Sequence, residues 1–194
     1  MGPLDRAVAR RDRARQDSAV DVARTKGWRV ESGELLVGRV FDQRFAAERA
    51  TPVACDLVID GGPEGFVAES WRVDARNLGS PIRLAGRQHL LRVPCPGTPR
   101  FLVKGVPRRS ELRLFPRAFK DQTGFFKAPM MMVVAGEFAE VHGRIAPLLE
   151  AISTSRGWVI GLDDELVLMS SSEPDGALLE LRLGLARAVV TALG

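Results

Sequence analysis

Few residues in this chain have types and spacing that could do chemistry. Cys95 lies in the proline-bounded run Pro94-Cys95-Pro96-Gly97, six positions after His89. A thiol nucleophile needs a base and an orienting group, so a thiol-dependent enzyme at Cys95 requires a fold that brings His89 to it. The same two residues also fit a packed loop cysteine beside a satisfied core histidine. His142 is the other imidazole, and there is no Cys-x-x-Cys and no His pair at i and i+4, so neither a metal nor any other cofactor is expected. Asp163-Asp164-Glu165 offers paired carboxylates or hard-cation ligands, but aspartates at that point favour the turn itself. Gly61-Gly62-Pro63-Glu64-Gly65 lacks the lysine and the following helix of a phosphate loop and reads as a hairpin turn. No Gly-x-Ser-x-Gly elbow occurs, and the absence of tyrosine excludes tyrosine chemistry.

Charge is the remaining constellation. The net charge is +4, but residues 83–120 alone hold ten basic groups against one acidic group, Glu111. Arg83, Arg87, Arg92, Arg100, Lys104, Arg108, Arg109, Arg113, Arg117 and Lys120 alternate with Leu, Val and Phe, a pattern that puts guanidiniums on one face of a strand. Three roles fit: ion pairs within the fold or between subunits, a surface for a protein partner, or a surface for nucleic acid or acidic lipid. The block has no Trp or Tyr on which bases would stack.

The elements that position these groups follow from periodicity. The chain has 194 residues, 45% hydrophobic and 27% charged, which excludes a disordered tail, a collagen and a disulfide knot. Residues 3–26 read as a basic surface helix closed by Gly27. Residues 28–31 and 34–41 read as a hairpin about Ser32-Gly33, with further strand pairs at 51–60 with 65–74 and 88–93 with 100–106, and extended runs at 112–115 and 125–134. Period 3.6 then takes over, at 138–152 with Pro147 as a flaw and at 174–193. The last helix shows Leu178, Leu181, Leu185 and Val189 on a stripe wide enough to suggest self-association. The expected architecture is α+β: mostly antiparallel hairpins in one or two sheets, covered by the two helices of the C-terminal half, with the N-terminal helix on the surface. Residues 1–26 form the basic helix and 27–194 one domain, divisible at 110/111 into halves 27–110 and 111–194.

Gly27-Trp28-Arg29-Val30 followed by Glu34-Leu35-Leu36-Val37 echoes Gly157-Trp158-Val159-Ile160 followed by Glu165-Leu166-Val167-Leu168, each after a helix, which suggests a duplicated α-β-β unit. On this repeated helix, Gly-Trp and hairpin pattern, and on the run from Gln88 to Lys104 with its Pro94, Pro96 and Pro99, the chain resembles a poorly characterised group of proteins of high-GC Gram-positive bacteria. The resemblance implies an α+β domain of the cytosol or inner membrane face and supplies no catalytic residues. Two thiols without a secretory leader point to a reducing cytoplasm, and the longest uncharged apolar run, 128–136, is far short of the roughly 20 residues of a membrane helix. The expected function is a non-catalytic protein-binding or assembly module that self-associates as a homo-oligomer. The alternative is an anionic-surface binder through residues 83–120.

Overall fold

Among the described residues the extended segments form nine strands: β1 Arg29–Ser32, β2 Ala50–Asp60, β3 Val67–Arg76, β4 Arg83–Pro94, β5 Phe101–Gly105, β6 Thr123–Lys127, β7 Met131–Gly136, β8 Trp158–Leu162 and β9 Glu165–Ser170. The helices are α1 Pro3–Thr25, α2 Phe138–Ile145, α3 Leu149–Thr154 and α4 Gly176–Leu193. The structure, a computed structural model, describes residues 3–33, 39–46, 50–76, 83–105, 116–119, 123–127 and 131–194. The strands form a single sheet in the order β1-β2-β3-β4-β9-β8-β5-β7-β6, antiparallel throughout. This is the α+β architecture that the periodicity implies.

Both faces of the sheet are covered, so the interior strands β5 and β8 are buried along their whole length. On one face Leu57, Ile59, Leu91, Val103, Leu166 and Leu168 meet Ala19 and Ala23 of α1, Phe138, Val141 and Ile145 of α2, Ile152 of α3, and Leu179, Leu183 and Val189 of α4. On the other, Trp71, Leu90, Leu102, Val133, Trp158 and Val167 are capped by Phe41, Phe45 and Phe119. Pro147 sits in a 3-10 turn that separates α2 from α3, which is how a helical period survives a residue with no N–H to donate.

Several local expectations are corrected. β1 pairs with β2, Arg29 opposite Asp60; of the run 34–41 expected to pair with it, 34–38 lie outside the described residues and 39–41 are not in a strand. β4 and β5 do not pair with one another, because the β8–β9 hairpin lies between them. The second copy is a hairpin about Asp163-Asp164, both at positive φ as a two-residue turn demands; of the first copy, 29–32 form the edge strand β1 and 34–37 lie outside the described residues. The helix ends differ too. Gly27, at φ 74, closes α1 with Trp28 N–H donating to the Ala23 carbonyl and Gly27 N–H to that of Arg24, whereas after α3 it is Arg156, at φ 56, that takes the left-handed conformation. The β4–β9, β5–β7 and β5–β8 pairings all cross position 110. The run 112–115 lies outside the described residues, and α1 is a surface helix whose Ala19 and Ala23 are buried.

Candidate functional site

Ser70, His89 and Ser170 are lateral neighbours on β3, β4 and β9, and their parity with Ala68, Leu91 and Leu168 puts them on the helix-covered face. Glu173, just beyond β9, and Arg182 of α4 close over this row. The Ser70 hydroxyl donates to Glu173 Oε1, Arg182 Nη1 donates to Ser170 Oγ at 2.8 Å, and Arg182 Nε and Nη2 donate to the Ser155 carbonyl at 3.3 and 3.2 Å. Burial pushes the Glu173 carboxyl up to about 7, against the Ser70 hydrogen bond and the Arg87 charge. Burial also brings Arg182 down to about 10 and, together with the Arg182 charge, holds His89 well below the ordinary imidazole range. Serine, histidine and glutamate suggest a catalytic triad, but the Ser70 hydroxyl donates to Glu173, and all three residues are at most 2% exposed. The cluster clasps helices to sheet: Arg15 Nη1 of α1 donates to the Glu173 carbonyl at 3.4 Å, and Gly176 N–H of α4 donates to Ser18 Oγ at 3.2 Å.

Cys95 is not brought to His89. It lies beyond the end of β4, its N–H donating to the Asp164 carbonyl at 2.7 Å, while His89 is six residues back along the strand, about 20 Å at ~3.3 Å per residue. Both cysteines are buried and free; Cys55 belongs to the opposite face of the sheet, where burial and the Glu69 charge push its thiol up to about 12. Asp163 accepts from Arg44 Nη1 at 2.6 Å, and Asp164 accepts from Gly97 N–H at 2.7 Å, so these carboxylates fasten the hairpin turn to its neighbours. Among the described residues no group of three or more His, Cys, Asp or Glu is placed to hold a metal.

The basic block does not form one face. Arg87 and Arg92 are five residues apart on one strand, an odd spacing that sends them to opposite sides of the sheet. Arg87 pairs with Asp56 at 2.9 Å, with Glu173 at 3.7 Å and with Asp12 at 3.8 Å; Arg92 pairs with Glu165 at 3.0 Å, Asp42 at 3.3 Å and Glu69 at 3.7 Å and stacks over Phe45. Lys104 is buried, donating to the Arg156 carbonyl at 3.3 Å, and Arg100 bonds the Ala118 carbonyl and lies over Phe119. Arg117 is exposed. Arg108, Arg109, Arg113 and Lys120, and the side chain of Arg83, lie outside the described residues. The α4 stripe is likewise divided: Leu185 and Val189 are buried in the chain's own core, Leu178 is half-buried, and Leu181 is 52% exposed.

An accessible concavity among the described residues lies elsewhere, in a feature that the sequence pattern did not single out. Ala19 and Ala23 bring the second half of α1 onto the sheet, and beside that contact a cleft of ≈ 980 Å³ opens between α1 and the β1–β2–β3 end. Its helix wall carries Arg10, Arg13, Gln16, Asp17, Asp21 and Arg24; its sheet wall carries Ser32, Asp56, Arg72 and Arg87. The helical spacing of the arginines was legible, but the wall they face was not.

Fold and cleft together define an α+β protein with one antiparallel sheet, helices on one face and a polar, arginine-lined cleft under the first helix. No family model and no curated protein matches the sequence. The chain is similar in fold to the mycobacterial trehalose monomycolate transport factor A, TtfA, whose crystal structure superposes with a TM-score of 0.52 at 9% identity, over 91% of this chain and 93% of that one.

Proposed function

We propose that the protein is a non-catalytic binding or assembly module whose working surface is the cleft between α1 and the β1–β3 end of the sheet. The observation that carries this reading is the contrast between its charged groups. Arg87 and Arg92 are each surrounded by carboxylates, whereas Arg10, Arg13 and Arg24 line an open cleft and make no ion pair among the described residues. Unpaired guanidiniums beside a concavity are groups ready to recognise something else. The fold is compatible with such a role, since the similar structure is that of a transport factor. Among the described residues no helix is long and apolar enough to cross a membrane, so the reading does not rely on a spanning helix.

The test is affinity capture from native lysate at two salt concentrations, with and without nuclease, using the full chain and the double variant Arg10→Glu/Arg13→Glu. A stoichiometric protein retained by the native chain and lost with the variant is the expected result. Equal capture by both proteins overturns the assignment of the cleft.

A further inference from the structure

We propose that the cleft takes an oxyanion of the phosphate class, an inference that rests on the binding role above and specifies its ligand. Five arginines line the cleft against three aspartates, Asp17, Asp21 and Asp56. Asp56 is already neutralised from the sheet side by Arg72 at 3.5 Å and Arg87 at 2.9 Å. The helix side therefore keeps Arg10, Arg13 and Arg24 against Asp17 and Asp21, a positive balance on one side of α1.

Guanidinium forks match the oxygens of a phosphate group, which accept in several directions at once and carry the complementary charge. A cationic ligand would meet the arginines, which outnumber the aspartates of the cleft. A volume of ≈ 980 Å³ holds a small phosphorylated molecule or the headgroup of a phospholipid.

The probe is inorganic pyrophosphate, titrated calorimetrically into the full chain at low and at physiological salt. Saturable, salt-weakened binding is expected, with about a tenfold loss in Arg13→Gln, as for one charge-assisted hydrogen bond. Arg11→Gln, at a residue outside the cleft that pairs with Asp12, is expected to leave affinity within about twofold. Circular dichroism of each variant separates lost binding from lost folding. Failure to bind at low salt or equal loss in Arg11→Gln overturns the site, the second by reducing it to diffuse surface charge.

Co-sedimentation with phosphatidic acid vesicles, against phosphatidylcholine vesicles, identifies the source. Retention on the acidic vesicles that pyrophosphate displaces means a lipid phosphate, and pyrophosphate binding without retention means a soluble phosphate ester; both support the site. Partner capture that depends on the cleft, without pyrophosphate binding, overturns this inference and leaves the binding role. Pyrophosphate binding with partner capture unaffected by Arg10→Glu/Arg13→Glu does the reverse.

Discussion

Removing the charge of Glu173 tests the buried clasp quantitatively. Burial raises this carboxyl from 4.5 to about 7 in the folded chain. Between those values the unfolded chain is ionised while the folded chain keeps its proton, so the folded state binds more protons and loses stability as pH rises through the window. The shift amounts to about 3 kcal/mol at ~1.4 kcal/mol per pK unit, fully felt only above the folded value. Glu173→Gln keeps an acceptor for the Ser70 hydroxyl and abolishes the ionisation. The variant is therefore expected to gain on the native protein as pH rises from 5 to 8, by about 2.5 kcal/mol, or very roughly 5–10 °C in melting temperature for a chain of this size. Urea unfolding followed by tryptophan fluorescence at four pH values in that range measures the difference, and other titrations common to both proteins cancel in it. A flat difference would refute the reasoning, as would one of opposite sign, which means that Arg87 and Arg182 stabilise the carboxylate more than burial penalises it.

Arg87→Met removes the cation shared by Asp56, Asp12 and Glu173 and is expected to cost about 3 kcal/mol in urea unfolding at pH 8, and less at pH 5, where Glu173 is protonated. Arg156→Gly relieves a left-handed residue at φ 56 and is expected to stabilise by about 1 kcal/mol, read as a rise in melting temperature. Leu185→Ala is expected to cost about 3 kcal/mol, because Leu185 is only 6% exposed, whereas Leu181→Ser on the solvent side stays within about 0.5 kcal/mol by the same measurement. Cys55 and Cys95 are expected to resist a thiol reagent in the folded protein and to react on unfolding, as followed by absorbance of the released chromophore.

What the sequence determined by itself is what depends on neighbours along the chain. The helical period located α4, Gly27 closed α1, and Gly61-Gly62 and Asp163-Asp164 each marked a hairpin turn, because capping and turn geometry involve residues only a few positions apart. The apolar runs 65–74 and 88–93 made strands legible, but such a run reads the same for any partner strand. Tertiary structure alone decided that β1 joins β2, that the β8–β9 hairpin lies between β4 and β5, and that Arg87 and Arg92 face opposite sides. It also decided the charges: Arg87 meets Asp56 from another strand, and Arg92 meets Asp42 and Glu165, so a block that reads as a basic surface becomes partly an internal ion-pair network. The helix face with Arg10, Arg13 and Gln16 became a cleft only because α1 lies over the β1–β3 end, a placement set by the burial of Ala19 and Ala23 and by Arg15 and Ser18 reaching residues more than 150 positions away. Such contacts depend on how the whole sheet is ordered, which no local window of sequence encodes.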